Sequence, residues 1–332
     1  MMDPDPRPTT GRRQLLTAAL VGGIATATAP AAAAATSGRV HIPGTTRFLD
    51  HTVDVARATP QLVRQLSDYF TDKTDRKPAM TMAHFSRQVI YVDAILGWSL
   101  SWQALDDLFA RIMPMWPATA ESYPVKILGN ADSALVMFTD TPELFGHELR
   151  PLGFVDFRHG QIVRWVDYWD GREFTLADIA AQRTPADQFP DDFGEKAVGE
   201  NAAPAMRRTA HALAQALAAG DAVAASALFS ADGIFEDRVL HTGVHGQQAI
   251  RSYLGRALHH LPYGLGAQVR HVVGSTVGGG YEWKQTTGPV HRGGAALELD
   301  QDGRISHFTA VWDGSLVSGA ELNRIQSLTI ES

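Results

Sequence analysis

The chain of 332 residues contains no cysteine. Disulfide bonds, cysteine-ligated zinc sites and thiol nucleophiles are therefore excluded. Positive charge is also scarce, because 29 lysines and arginines stand against 36 acidic residues and leave a net charge of -7. Without a basic surplus the protein has no field to hold a phosphate backbone, so we expect no nucleic-acid partner.

Long apolar runs are scarce as well. Residues 15–29 are moderately apolar but rich in Ala, Gly and Thr, and too short for a confident membrane span. They follow Arg12–Arg13 and precede Pro30 and a run of alanines, which is typical of a secretory signal, and the arginine pair resembles a twin-arginine signal. We interpret residues 1–36 as this segment and expect export by the twin-arginine route. Beyond the segment we expect no stable membrane insertion; a disordered tail or an uncleaved anchor are the alternatives.

The rest of the chain repeats itself. HFSRQVIYVD at 84–93 corresponds to LFSADGIFED at 228–237, and GQIVRWVDYWDG at 160–171 corresponds to GRISHFTAVWDG at 303–314. The two offsets are 144 and 143 residues, in the same order, which indicates a tandem duplication. We therefore predict one domain over 37–180, a proline-rich linker over 181–204 and a second domain over 205–332. Two unrelated domains are the alternative.

Hydrophobic spacing predicts the elements of each copy. Helix-like intervals at Phe48, Val53, Val55, Leu62, Val63, Leu66 and Phe70 predict an opening helix in the first copy, and Ala210, Leu213, Ala216 and Leu217 predict one in the second. Further helices are predicted at 102–112 and 247–258, and alternation predicts strands at 125–128, 134–139, 153–158 and 162–168. The prediction is an α+β fold of two tandem cone-shaped domains, each a curved antiparallel sheet with helices packed on one face.

The second copy resembles the ketosteroid isomerase branch of the nuclear transport factor 2-like superfamily. The resemblance rests on ALAAGD at 216–221, ALFSADGIFED at 227–237 and GQQAI at 246–250. It places Asp237 where that branch has its catalytic base, but Leu213 and Ala295 where it has its oxyanion donors. Because a base without such donors stabilises an enolate poorly, steroid isomerisation is not expected here, and Asp237 remains a second-domain candidate.

The first copy resembles limonene-1,2-epoxide hydrolase. The resemblance rests on LGFVDFRHGQIVRWVDYWDGREF at 152–174. It implies that Asp167 is the base, that Tyr91 and Asp93 hold the attacking water, and that Asp140 donates a proton to the epoxide oxygen. The family's bridging arginine is replaced by Phe138. Tandem polyether epoxide-opening cyclases are also similar, and they would place an acid near Glu121.

The residues themselves are compatible with this chemistry. Asp140 follows the apolar run 136–138 and Asp167 follows Trp165 and Val166. Two carboxyl groups in an apolar cavity can act as base and acid if one is ionised and the other protonated. Cap or turn roles stay open for Asp93 and Asp140, and an outward-facing, solvated position stays open for Asp167. The expected wall of the substrate pocket is apolar and comprises Met80, Met82, Met113, Met115, Trp116, Phe138 and Trp169.

The sequence thus predicts a cofactor-independent acid/base enzyme of secondary metabolism that opens an epoxide on an apolar small molecule. Water would give a diol, and a substrate hydroxyl would give an ether ring. A SnoaL-like polyketide cyclase or isomerase and an exported, non-catalytic ligand-binding protein are the alternatives. No metal site is expected, because Gly243 indicates a loop between His241 and His245. Homo-oligomerisation stays open.

Overall fold

The structure, a computed structural model, describes residues 44–330. The predicted signal segment 1–36 and its export route lie outside these residues. Within the described part of the chain, no helix is both long and apolar enough to cross a membrane. The elements form two α+β units, each built on one sheet, so the predicted fold class is confirmed. The sheets are mixed rather than purely antiparallel as predicted, because strands far apart in the sequence pair in parallel.

The first unit contains an eight-stranded sheet in the order β1-β2-β5-β6-β7-β8-β3-β4. Its strands are β1 (Thr45–Phe48), β2 (His51–Ala58), β3 (Phe85–Asp93), β4 (Trp98–Ser101), β5 (Ser122–Gly129), β6 (Ser133–Asp140), β7 (Leu152–Arg158) and β8 (Gln161–Tyr168). Its helices are α1 (Pro60–Thr74), α2 (Pro78–Ala83), α3 (Trp102–Ile112) and α4 (Pro142–Phe145). The pairs β2–β5 and β3–β8 are parallel and the other neighbours are antiparallel.

The opening helix of the first copy was predicted too early in the chain. Residues 45–58 form the hairpin β1–β2, and α1 begins only at Pro60, where the Thr59 hydroxyl accepts a hydrogen bond from the Leu62 amide. The segment after His51 is rich in β-branched residues, which favour a strand. Only the spacing from Leu62 onward reflects a helix.

One face of the first sheet is covered by helices. Leu62, Leu66 and Phe70 on α1 are fully buried and belong to the same apolar layer as Val136 and Trp165 of the sheet. This layer is the interior of the first unit, and it positions the polar side chains of α1 against β6 and β8.

The second unit repeats the plan with six strands in the order β10-β9-β14-β13-β12-β11. Its strands are β9 (Phe229–Asp237), β10 (Thr242–His245), β11 (Gln268–Gly274), β12 (Gly278–Lys284), β13 (Arg292–Leu299) and β14 (Ile305–Trp312). Helices α5 (Leu176–Gln182) and α6 (Glu195–Val198) lie between the sheets in sequence, and α7 (Pro204–Ala218), α8 (Ala222–Ala227), α9 (Gln247–Ala257) and α10 (Gly319–Ser327) belong to the second unit. The pair β9–β14 is parallel, like β3–β8.

The two sheets pack against each other through their other faces. Leu135 and Phe154 of the first sheet share an apolar layer with Val273 and Ala296 of the second. Every residue of β6 is buried, because helices cover one side of it and the second unit covers the other.

A charged cluster lies inside this interface. Arg164 donates from Nη2 to the Glu282 carboxylate at 2.9 Å, and Tyr168 donates to the same oxygen at 2.9 Å. His271 Nε2 lies 2.8 Å from Asp156 Oδ2. None of these side chains is more than about 1% exposed, so the cluster is shielded from bulk solvent and its charges depend on one another.

The repeated Trp-Asp-Gly sequences meet at the edge of the interface. A Cβ atom on Gly171 would lie 2.2 Å from Asp313 Oδ1, and one on Gly314 would lie 2.8 Å from Asp170 Oδ1. Each glycine therefore leaves room for the aspartate of the other copy. The repeat that identified the duplication is a reciprocal contact between the copies.

Candidate active site in the first unit

Asp167 is held by two donors inside the first unit. The parallel pairing of β3 and β8 puts Tyr91 beside Trp165. From there the Tyr91 hydroxyl donates to Asp167 Oδ2 at 2.5 Å, and Trp165 Nε1 donates to Oδ1 at 2.6 Å. Asp167 is 5% exposed. Both oxygens of the carboxyl group therefore have fixed partners.

The environment of Asp167 brings the pKa of its carboxyl group close to neutral pH. Burial raises the pKa of Asp167 to about 7, and the charge of Asp93 adds to the rise. The hydrogen bonds from Tyr91 and Trp165 and the charge of Lys73 act against it. A carboxyl group with a pKa near 7 can take up and release a proton at ordinary pH, as a general base must.

A buried ion pair lies elsewhere in the same interior. Lys73, in the last turn of α1, donates from Nζ to the two oxygens of Asp140 at 2.9 and 3.1 Å. The Ser122 hydroxyl donates to Asp140 Oδ1 as well. Lys73 and Asp140 are 5% and 4% exposed, and Lys73 Nζ lies 5.3 Å from the centroid of the Phe138 ring.

This pair changes the role expected of Asp140. The two oxygens of Asp140 accept hydrogen bonds from an ammonium group and a hydroxyl, and charge-assisted hydrogen bonds of this kind are strong. In the family that the first copy resembles, a bridging arginine occupies the position of Phe138. In this protein Lys73 supplies a positive charge instead. Asp140 therefore holds Lys73 in position, and the candidate proton donors are on α1.

Tyr69 lies one helical turn before Lys73 on the same buried face of α1. Its ring centroid is 5.0 Å from that of Trp165. Burial raises the pKa of Tyr69 well above its usual value. The negative charges of Asp167 and Asp140 raise it further, so both carboxyl groups lie close enough to affect the hydroxyl electrostatically. Its hydroxyl has no hydrogen-bond partner among residues 44–330. It stays protonated and is free to donate to a bound oxygen atom.

The predicted wall residues divide between the two faces of the sheet. Met82, Met113, Trp116 and Phe138 are buried in the interior layer with α1. Trp169 instead lies in the layer between the units, where its ring centroid is 5.3 Å from that of Phe174. Met80 and Met115 are 55% and 52% exposed. The rings of Tyr69, Phe70, Phe85 and Phe138 pack around Trp165 with centroid distances of 5.0 to 6.5 Å, so a substrate enters this interior only if side chains move.

Asp93 and Asp237 serve as turn caps in the two copies. Asp93 Oδ1 accepts hydrogen bonds from the Ile95 and Leu96 amides, and its Oδ2 accepts one from Trp169 Nε1 at 3.1 Å. Asp237 is bound in the same way by two amides and by Trp312 Nε1, and in addition by the Tyr263 hydroxyl. Burial raises the pKa of Asp93 to about 6 and also raises that of Asp237. These contacts give both residues a structural role, and Asp93 reaches Asp167 only through its charge.

Glu121 lies apart from this interior. Its Oε2 is 2.8 Å from His51 Nε2, and its side chain is 37% exposed. His51 in turn stacks on Tyr123. Glu121 thus belongs to a surface cluster beside β2. As for metals, the described residues hold no group of three or more His, Asp or Glu side chains arranged to bind an ion.

Sequence reasoning missed Tyr69 and Lys73. The signal was available, since Leu62, Leu66, Tyr69, Phe70 and Lys73 all fall on one helical face of α1. A lysine on the apolar side of an amphipathic helix is rarely buried without an acidic partner. That spacing would have pointed to a buried carboxylate opposite α1.

Comparison with known proteins yields structural matches only. No protein-family model matches the sequence, and no curated protein matches it. A putative ketosteroid isomerase from Kribbella flavida is 19% identical with a TM-score of 0.29, and the match covers 40% of this chain and 96% of that one. A steroid delta-isomerase from Pseudomonas aeruginosa is 16% identical with a TM-score of 0.31, covering 40% and 93%. An NTF-2 like protein of unknown function from Burkholderia xenovorans is 22% identical with a TM-score of 0.29, covering 33% and 83%. The solved structures that this chain resembles thus include NTF2-like and ketosteroid isomerase-like proteins.

Proposed function

We propose that the first unit is a cofactor-independent acid/base enzyme that opens an epoxide on a small apolar molecule. The observation that carries the proposal is the pair of Asp167 and Tyr91. A carboxyl group whose pKa lies near 7 is fixed by a 2.5 Å hydrogen bond in an apolar interior that also holds a free hydroxyl and a buried ammonium group. The second unit has Ala310 at the corresponding position, so the chemistry belongs to the first unit alone.

Asp167 acts as the base. In its ionised form it takes a proton from a water molecule, and the oxygen of that water attacks an epoxide carbon while the carbon–oxygen bond of the ring breaks. Tyr91 and Trp165 orient the carboxylate toward the attacking oxygen, which is the geometric requirement for proton transfer.

Tyr69 acts on the leaving oxygen. Charge develops on this atom as the ring opens, and a donor already in place stabilises it. The Tyr69 hydroxyl donates to the oxygen and passes its proton on, and the ammonium group of Lys73 stabilises the negative charge left behind. A substrate hydroxyl in place of water would give an ether ring by the same steps.

The test is turnover of small epoxides such as styrene oxide and cyclohexene oxide in water labelled with oxygen-18. The wild-type protein is expected to form diols that contain one labelled oxygen. Asp167→Asn should lower the rate by about 10²- to 10⁴-fold, the range for loss of a general base. Asp68→Asn, an exposed change on the same helix as Tyr69, serves as the control and should leave the rate unchanged. Full activity in Asp167→Asn would refute the assignment of Asp167 as the general base.

A second candidate is proton-transfer isomerisation or aldol cyclisation of a small carbonyl compound. The free hydroxyl of Tyr69 favours it, because an enolate oxygen needs such a donor. In this case Asp167 removes a proton from carbon, and no labelled oxygen from water enters the product by the catalysed step. Exchange of substrate hydrogen for deuterium, lost in both Asp167→Asn and Tyr69→Phe, would select this reaction over epoxide opening.

A carrier without chemistry is the remaining alternative. It predicts that ligand binding is similar in the wild type and in Asp167→Asn, with no turnover in either. The same two proteins therefore separate all three functions.

A further inference from the structure

The interface between the units creates two equivalent grooves. One lies between residues 93–98 of the first unit and Asp313 of the second, and the other between residues 237–242 of the second unit and Asp170 of the first. Each is crossed by an arginine. Arg183 donates to Ile95 O and to Asp313, while Arg172 donates to Val239 O and to Asp170. Ile95 and Val239 are 144 residues apart, the offset of the duplication.

The linker fills the first groove. Residues 183–194 run through it, with the Thr184 amide donating to Leu96 O at 2.7 Å. Phe193 is fully buried there, and Phe189 lies against Gly97 and under the Arg292 guanidinium, 3.2 Å from ring centroid to Cζ. The occupant of the filled groove is therefore aromatic and is held by an arginine.

The second groove is open. It forms a cavity of about 890 Å³ at the junction of the units, with Ile234, Val239 and Val311 among its apolar lining. His241 stands where the filled groove has Gly97, and both residues have a positive φ, 51° and 72°. The backbone of the groove is thus preserved, but no described segment of the chain occupies it as the linker occupies the first.

Most charges of the open groove are already paired within the chain. Arg150 pairs with Glu148 at 2.6 Å, Arg172 pairs with Asp170 at 2.6 Å, and His307 lies 3.1 Å from Glu236. Asp237 is turned into its cap, and His241 and His245 are exposed at the rim. The arginines and carboxylates of this set therefore already have partners within the chain.

Arg238 is the exception. Its side chain is half-buried in the cavity and makes no hydrogen bond or ion pair with any residue in 44–330, although the charges of Glu173 and Glu236 act on it. The corresponding residue beside the filled groove is Ala94. An arginine that loses water without gaining a partner is costly, and a guanidinium group binds a carboxylate through two parallel hydrogen bonds.

We propose that the open groove binds a small organic molecule with an apolar, preferably aromatic, body and a single carboxylate, which Arg238 binds. The apolar body takes the place that the linker phenylalanines take in the filled groove. A single negative charge fits because one guanidinium group lacks an ion-pair partner. Five acidic residues line the cavity against three arginines, which disfavours a second negative charge on the ligand.

Glu173 gives the site a second point of contact. It lines the same cavity and accepts a hydrogen bond from the Arg150 amide at 2.9 Å. Burial raises the pKa of Glu173 to about 7; the charge of Asp170 also raises it, while the Arg150 amide and the charges of Arg238 and Arg150 lower it. Below this pH the protonated group can donate to the carboxylate of a ligand, and above it the ionised group repels that carboxylate.

The experiment is isothermal titration calorimetry of the full chain with benzoate, phenyl phosphate and benzyl alcohol at pH 6. Benzoate is expected to bind once per chain with a Kd of about 1 mM or tighter. Benzyl alcohol, which keeps the ring but lacks the charge, and phenyl phosphate, which can carry a second charge, should both bind more weakly. No binding of benzoate, or equal binding of benzyl alcohol, overturns the proposal.

Arg238→Gln should weaken benzoate binding by about 10- to 100-fold, the loss expected for a charge-assisted hydrogen bond. Arg158→Gln removes an exposed arginine from the β7–β8 turn and should change nothing. If Arg238→Gln fails to fold, Arg238→Lys keeps the charge without the planar fork and should bind benzoate less tightly than wild type. Unchanged affinity in the folded Arg238 variant refutes the assignment.

A pH series supplies an independent readout. Benzoate affinity of the wild type should fall as pH rises from 6 to 8, and Glu173→Gln should remove that fall. Catalytic assays of the first unit play no part in either measurement, so this proposal can fail while the proposed enzyme function stands, and the reverse.

Discussion

Single side chains on α1, β3 and β8 define the candidate chemistry. Asp167 and Tyr91 were candidates from the sequence, because an aspartate between Val166 and Tyr168 cannot form a turn and the resemblance supplied its partner. The structure brings the two side chains into contact. Tyr69 and Lys73 could not be identified from the resemblance, since the resemblance covers only residues 85–174. Only the helical pattern of α1 contained their signal.

The other acidic candidates show where residue type alone is ambiguous. Asp93, Asp140 and Glu121 have the same functional group as Asp167, but they accept hydrogen bonds from backbone amides, from Lys73 and from His51, respectively. Each partner comes from a fold contact that the sequence around the acid does not contain. The role of each carboxyl group therefore depends on its hydrogen-bond partner, and the partner can be identified only in the three-dimensional structure.

Stability should reveal the proton on Asp167. In the folded chain the pKa of Asp167 is raised to about 7, so the carboxyl group keeps its proton up to about that pH, whereas in the unfolded chain it has the ordinary aspartate pKa of about 3.8. Between these values the folded state holds more protons, so the wild type loses stability as pH rises from 4 to 7. Asp167→Asn lacks this proton, and its free energy of unfolding relative to wild type should therefore rise over that range by on the order of 1 to 4 kcal/mol.

Urea denaturation of both proteins at several pH values measures this difference. Asn cannot accept both donors of Asp167, so a constant destabilisation will accompany the pH-dependent part. Asp68→Asn should show neither effect. A difference between Asp167→Asn and wild type that stays constant with pH would mean that Asp167 is ionised throughout.

At the scale of elements, strong periodicity was reliable and mixed patterns were not. The helix predicted at 102–112 is α3, and the strands predicted at 153–158 and 162–168 fall within β7 and β8. The hairpin β1–β2 was missed because its apolar residues happen to continue the spacing of α1. The parallel pairs β3–β8 and β9–β14 join strands far apart in sequence, which no local pattern can show.

The glycines of the repeated Trp-Asp-Gly sequences offer a test at this scale. Gly171→Ala places a methyl group 2.2 Å from Asp313 Oδ1 and 2.6 Å from Ser315 Oγ, so one copy must shift away from the other. A loss of about 1 to 3 kcal/mol in the free energy of unfolding is expected, as for an overpacked contact. Thermal or urea denaturation measures it.

Gly255→Ala is the matched control. Gly255 is exposed on α9, and no atom lies within 4 Å of the added methyl group. Alanine favours a helix, so this variant should gain about 0.5 to 1 kcal/mol. Equal stability of Gly171→Ala and wild type would show that the two copies are not in close contact at this point.

The whole molecule depends on contacts between its halves. Duplication could be read from two matched segments, but the charged cluster could not, because Arg164 and Glu282 are 118 residues apart. Nor do corresponding positions carry matching residues, since His307 stands where the first copy has Arg164. The interface is therefore a product of two diverged copies.

Removing one charge from this interface should affect both units. Arg164→Met leaves Glu282 and Asp156 buried without their shared cation, which should cost about 3 to 5 kcal/mol. We expect the wild type to unfold in a single transition when denaturation is followed by tryptophan fluorescence and circular dichroism. Arg164→Met should unfold in more than one transition, since its units are no longer coupled.

A double variant separates loss of charge balance from loss of packing. Arg164→Met with Glu282→Leu removes both buried charges of the pair, and it should be more stable than Arg164→Met alone. Arg64→Met, an exposed change on α1, should have little effect. A double variant as unstable as the sum of the two single variants would rule out the coupling.

The path of residues 183–194 has a consequence for the evolution of the protein. Two identical subunits would have to present the same recess on both sides of their contact, and any change to one side would be copied to the other. A covalent connection can fill one side only, which leaves the opposite side free to differ, as Arg238 differs from Ala94 at the corresponding position beside the filled groove. Fusion of the copies thus permits asymmetry that selection on a symmetric dimer could not reach.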